Sequence, residues 1–177
     1  ISAPEYLHEH VDFSQAYYSQ EQVASLQQYV HALGVILPAG NDAPNHIVAR
    51  QDEQQTVLSI WTEYEPLRRV IAKFREIGGR SLAGTSANKS GHPTHIDTEE
   101  VWQEFRTDVD FFVEADFTHM PDIRRRSTSV IDLTQPHPRL HRLGNVTQEE
   151  LQEALLKFKF PDLQVHNEKT IFVKPRT

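Results

Sequence analysis

No cysteine occurs in the 177 residues, which removes disulfides, thiolate zinc sites and thiol nucleophiles together. Histidine, carboxylates, hydroxyls and backbone groups are left to carry any chemistry. Long apolar runs are missing too. Nothing approaches the roughly 20 residues that cross a bilayer, and no charged-then-apolar leader opens the chain, so the expectation is a cytoplasmic protein with no membrane partner. A basic excess is also absent: 18 Lys plus Arg stand against 25 Asp plus Glu, a net charge of −7 and a pI near 5.8. That balance excludes a protein that coats nucleic acid by charge alone. Glycine is scarce, with 7 against 10 prolines, and both fall between periodic segments rather than gathering into a linker. What is present is an ordinary globular composition, 38% hydrophobic and 24% charged, without repeats or low-complexity tracts and of a length suited to one domain. The first residue is Ile rather than Met, as expected of a processed product, an excised fragment or the ordered part of something longer.

Periodicity predicts an alternation of helices and strands. A capping box at Ser19 and Gln22 opens a helix whose apolar face is Val23, Leu26, Val30 and Leu33, with Gly34 as its stop. Val35 to Leu37 reads as a buried strand, followed by strand candidates at His46 to Arg50 and Thr56 to Trp61. Pro66 suits the first turn of a second helix, with Leu67, Val70, Ile71 and Phe74 as its stripe and Gly78-Gly79 as its terminator. Ser81 to Thr85 is strand-like. A third helix is expected from Thr98 as cap, with Val101 and Phe105 inward. Asp110 to Glu114, Thr128 to Leu133 and Arg139 to Arg142 are further strand candidates. A second capping box, Thr147 and Glu150, opens a helix burying Leu151, Ala154, Leu155 and Phe158, and Thr170 to Val173 is a candidate edge strand. The fold class is therefore α/β (α+β): a twisted mixed sheet with helices packed on it, because several neighbouring strands are too closely linked to be parallel.

Two segments concentrate chemistry. Thr85-Ser86-Ala87-Asn88-Lys89-Ser90-Gly91-His92-Pro93-Thr94 packs hydroxyls, an amide and a glycine into a turn after a strand. Such a turn can converge backbone N–H groups on a phosphate, with Ser86, Ser90 and Thr94 adding donors. The same residues also suit a solvated turn that bonds only its own backbone. Between Arg124 and Arg142, five arginines face one acid, Asp132, a local net of +4 inside a chain of −7. Guanidinium forks match phosphate oxygens. Arg124, Arg125 and Arg126 read as a solvated loop, whereas Arg142 reads as a phosphate ligand. No metal site is expected: His92, His95 and Asp97 flank Pro93, which prevents a regular helix, and neither Cys partners nor an HExxH pattern occur. His8 and His10 are expected in solvent, and Trp61, Trp102, Phe111 and Phe112 in the core.

The run from Ser81 to Pro93 resembles the Thr-Ser-Ala-Asn-x-Ser-Gly signature of the YrdC-like threonylcarbamoyl-AMP synthases. Thr128-Ser129-Val130-Ile131-Asp132-Leu133 resembles that family's Ser-Thr-Val-Val-Asp-Leu strand, and Leu140 to Thr147 its Leu-Arg-x-Gly-x-Val-Thr ending. The three landmarks come in the family's order. The resemblance implies an α/β fold with a basic cleft over residues 1–156, followed by a tail at 157–177. It also implies ATP, accompanied by Mg2+, as the nucleotide, with L-threonine and bicarbonate as substrates. The product would be threonylcarbamoyl-adenylate, released with pyrophosphate, in the service of tRNA modification, with tRNA or tRNA-modification proteins as partners. Residue by residue, Ser86, Asn88, Ser90 and Thr94 match the nucleotide-binding turn and its neighbour, Arg142 the arginine that reaches the adenylate, and Thr128 a residue that holds the threonine moiety. No catalytic nucleophile is implied.

The chain also departs from that pattern. The family's Pro-Thr-Asp-Thr-x-Tyr-Gly-Leu and Lys-x-Arg elements are not in it, so the resemblance implies that the first third of the usual domain is missing. His46 stands where a threonine-contacting Thr is usual, and Ser59-Ile60-Trp61-Thr62 where Val-Arg-x-Pro is usual. A diverged, non-catalytic nucleotide- or RNA-binding regulatory module is therefore the alternative function. A carbamoyl-phosphate-using relative would share the same turn.

Overall fold

The computed structural model describes residues 4–51, 54–61, 64–84, 87–89, 92, 95, 97–114 and 127–165. Six strands form one sheet: β1 (Gly34–Pro38), β2 (Val48–Gln51), β3 (Gln54–Ile60), β4 (Val130–Asp132), β5 (Arg139–Arg142) and β6 (Gln164–Val165), in the order β2-β3-β1-β4-β5-β6. β1 runs antiparallel to β3 and parallel to β4, β5 is antiparallel to β4, and β6 is parallel to β5. The mixed α/β sheet is the architecture that the closely spaced strands require. Four helices accompany it: α1 (Gln20–Tyr29), α2 (Glu65–Glu76), α3 (Thr98–Phe105) and α4 (Gln148–Lys157).

One face of the sheet is the core. Alternation along a strand sends successive side chains to opposite faces, and Val35, Leu37, Val57, Ile131 and Leu133 join one buried cluster with Val23 and Leu26 of α1 and Leu151, Ala154 and Leu155 of α4. Both helices start on the expected capping boxes, Ser19 with Gln22 and Thr147 with Glu150. Phe160, buried after α4, stacks on Tyr18 with ring centroids 4.6 Å apart.

The other face carries Gly34, Ile36, Leu58, Ile60, Val130 and Asp132 by the same alternation. A Cβ on Gly34 would lie 3.0 Å from Val130 Cγ2 and 3.3 Å from Leu58 Cδ1, which confirms that these groups share a side. A bulge between Val130 and Ile131 pairs Ile131 with Leu140 but Val130 with Arg142. Leu140 packs against the core cluster. The extra residue, His141, thus moves Arg142 to the second face.

Several local expectations are corrected. Asn45–Ile47 is a 3-10 turn and the strand begins only at Val48; Pro44, extended at φ −60° and ψ 134°, accepts the turn's bond from Ile47 N at 3.0 Å. Ser81 to Gly84 and Asp110 to Glu114 have no strand pairing among the described residues. Phe111 is 90% exposed and Trp102 37% exposed, so neither is core. Instead Trp102 meets Phe112 at 5.3 Å on the surface. Trp61 is buried as expected. The cap of α3 is Asp97, whose carboxylate accepts from Glu99 N at 2.8 Å, rather than Thr98; a carboxylate also complements the helix dipole better than a hydroxyl. His10 is 7% exposed, not solvated, because the 3-10 segment Pro4–Glu9 folds back and a bridge joins Val11 to Ala39.

Candidate functional site

The β4–β5 corner is built from backbone approach and small polar side chains. Ser129 is fully buried. Its Oγ accepts from Gly144 N at 2.9 Å and Val146 N at 3.4 Å, and its N–H donates to Asn145 Oδ1 at 2.6 Å. Asn145 Nδ2 donates onward to His31 O at 2.7 Å, tying the corner to the turn after α1. Gly144 is required here: a Cβ would sit 1.8 Å from Ser127 O. Sequence reading placed Ser129 and Asn145 in motifs without giving them this role, because two buried polar residues 16 apart carry no periodic signal.

This corner aims Arg142. Its Nε donates to Thr128 O at 2.9 Å, so the structure brings together two of the residues singled out in sequence. Burial of the guanidinium holds its pKa below the ordinary arginine value, and burial likewise lowers that of neighbouring His141. A half-buried cation is stabilised by an anion that shares its site.

Asn88 lies in the second segment. Its Nδ2 donates to His92 O at 2.8 Å and Lys89 O at 3.2 Å, while its buried Oδ1 has no hydrogen-bond partner among the described residues. Ala87 before it is left-handed at φ +50°, a conformation disfavoured for a residue with a Cβ and typical of functional turns. The turn is tied to α3, where Glu104 accepts from Lys89 N at 3.0 Å and pairs with His95. That contact raises the pKa of His95 and lowers that of Glu104. Ser86, Ser90, Thr94 and Arg124 to Arg126 lie outside the described residues, as does Thr170 to Val173.

A recess of about 300 Å³ lies between the end of β3 and the run leading to the Asn88 turn, lined among others by His10, His46, Leu58, Ile60, Ser81 and Gly84. His10 Nε2 is 2.8 Å from Ser81 Oγ, and burial lowers the pKa of the ring. Arg75 donates to Glu9 at 2.6 Å and to Arg80 O at 2.6 Å, and the pairing with Glu9 holds that carboxyl below the usual range. The segment at 4–11 thereby fixes the approach to the turn. No sequence signal announced this, since the contact of His10 with Ser81 joins residues 71 apart. Among the described residues no group of three histidines and acids converges as metal ligands would, and no helix is long and apolar enough to cross a membrane.

Fold and site together define an α/β protein with an arginine-bearing second sheet face and a strained polar turn. The family model described as "Telomere recombination", covering the Sua5, YciO and YrdC proteins, matches residues 4–144, and the chain belongs to this family. It is 34% identical over 85 residues to the protein named "Putative threonylcarbamoyl-AMP synthase" in Mycobacterium tuberculosis, strains CDC 1551 and H37Rv, a stretch that is 48% of this chain and 36% of that protein. The crystal structure of P. abyssi Sua5 complexed with L-threonine superposes with a TM-score of 0.68 at 22% identity, over 94% of this chain and 43% of that one, which shows the fold. The chain thus spans less than half the length of these relatives.

Proposed function

We propose that this chain serves a threonylcarbamoyl-AMP synthase-type reaction, in which L-threonine, bicarbonate and ATP give threonylcarbamoyl-AMP and pyrophosphate. The observation that carries the reading is Arg142, held on Thr128 O by its Nε in a chain of this family. In this reaction the threonine amine first condenses with bicarbonate to a carbamate, releasing water. A carbamate oxygen then attacks the α-phosphorus, and the bond to the bridging oxygen breaks as pyrophosphate leaves with its electron pair. No protein nucleophile is needed. Positioning and neutralisation of phosphate charge supply the acceleration.

In this reading Arg142 faces the adenylate phosphate, Thr128 lies beside the threonine moiety, and Asn88 with Ser86, Ser90 and Thr94 forms the nucleotide turn. Mg2+ would come in with the nucleotide, held by its phosphates and by water, and would help to neutralise the phosphate charge. The product would feed tRNA threonylcarbamoylation in the cytoplasm, with tRNA or its modification proteins as partners. A second reading is a nucleotide- or RNA-binding module without turnover, favoured by the share of the relatives that the chain covers, 36% and 43%.

The test is pyrophosphate release from ATP. The first reading expects release that requires both L-threonine and bicarbonate; nucleotide binding without it leaves the second. Arg142→Ala should weaken AMP binding by about 1.5–3 kcal/mol, the scale of a lost charged hydrogen bond. Calorimetry showing unchanged affinity would take Arg142 out of the site.

A further inference from the structure

Arg139 and Arg142 are three residues apart on β5. In a regular strand, residues at i and i+3 face opposite sides of the sheet. The bulge changes that. Arg139 pairs with Asp132, Leu140 with Ile131 and Arg142 with Val130. Asp132 and Val130 both flank core-facing Ile131, so both arginines stand on the second face. Leu140 between them points the other way, into the core.

Arg139 is half-buried, and its buried Nε has no hydrogen-bond partner among the described residues. The acid in register with it, Asp132, uses Oδ1 to accept from Thr134 N at 2.8 Å and Thr134 Oγ1 at 2.6 Å. A buried guanidinium donor without an acceptor costs free energy that an oxyanion would recover. Bulges recur where a side chain is re-aimed towards a site.

We propose that Arg139 and Arg142 form a two-cation seat for a diphosphate group, with Arg139 binding the pyrophosphate that leaves in the proposed reaction. In a bound nucleotide Arg142 takes the phosphate nearest the nucleoside and Arg139 the next one along the chain, which leaves as part of the pyrophosphate. This inference rests on the proposed nucleotide site for the division of labour, but the seat itself is a statement about inorganic diphosphate. Arg139 then sets preference for a nucleoside triphosphate over a monophosphate, because only the longer anion reaches both guanidinium groups.

The test uses the full chain and three probes: inorganic pyrophosphate, ATP and AMP, each titrated by calorimetry against wild type, Arg139→Gln and Arg139→Lys, with circular dichroism as the check on folding. Arg139→Gln should weaken pyrophosphate and ATP by about tenfold or more, the scale of a lost charge-assisted bond, and leave AMP within about twofold. Arg139→Lys, which keeps the charge but not the fork, should fall between them, and it carries the test if the Gln variant does not fold. Unchanged pyrophosphate affinity in a folded variant, or equal loss for ATP and AMP, overturns the proposal, as does a wild type that does not bind pyrophosphate. Pyrophosphate binding that depends on Arg139 in a protein that ignores ATP and AMP sinks the nucleotide reading and keeps the seat.

Discussion

Helices α1 and α2 look alike in sequence, each with an apolar residue every three or four positions, and they end up in different surroundings. α1 buries Val23, Leu26 and Gln27 between the sheet and α4, while α2 buries only Ile71. Val70 of α2 is 53% exposed. The difference extends beyond the two helices. The sheet, α1 and α4 share one core cluster, to which no described residue from 65 to 114 contributes. Polar contacts tie that arm to the segment at 4–11, Arg75 to Glu9 and Ser81 to His10, and join its own parts, Lys89 to Glu104. The packed core therefore lies in one half, and the strained turn is carried by the other.

The contrast between the halves can be tested by substitution. Leu26→Ala should cost about 2–5 kcal/mol in denaturant unfolding, the range for large-to-small changes in a packed core; a cost below about 1 kcal/mol would mean that α1 is not the foundation. Gly144→Ala should cost about 1–3 kcal/mol or more by overpacking against Ser127 O, and it should also displace Arg142, visible as lost anion affinity in the fraction that stays folded.

The two halves should also titrate in opposite senses. The pKa of His10 is lowered by burial, so folding favours its neutral ring. Its contribution is whole above about pH 6.5 and is lost as pH falls through the lowered value. His95 is raised by Glu104, so its contribution is whole below about pH 6.5 and is lost as pH rises through the raised value. Urea midpoints against pH should show His10→Gln flattening the acid limb and His95→Gln the limb above neutrality. Both variants flattening the same limb would refute the division. Smallest of all, Glu65→Ala, which removes the exposed pair with Arg69, should change the unfolding free energy by no more than about 0.5 kcal/mol.

Legibility in the sequence followed the same divide. Capping boxes and apolar stripes located the starts of α1 and α4 to within a residue, since local chemistry and burial agree there. In the arm, Phe111 and Trp102 carried a core signal that the fold does not honour, because hydrophobicity reports a tendency to bury without supplying a partner. Arg142 and Thr128, which share one hydrogen bond, were singled out by motif order. Arg139 could not be singled out, since its facing depends on a bulge that composition does not mark. His10 was missed because its partner Ser81 is far along the chain.

The bulge at His141 gives β5 something like a reading frame. Substitutions on either side leave the frame intact, and so does loss of His141, because strict alternation then places the arginine straight after core-facing Leu140, still on the second face beside Val130. What the frame does not survive is straightening with all four residues kept, which would turn the arginine towards α1 and α4. A relative one residue shorter here should keep the arginine's facing, and one of equal length with a flat strand should lose it.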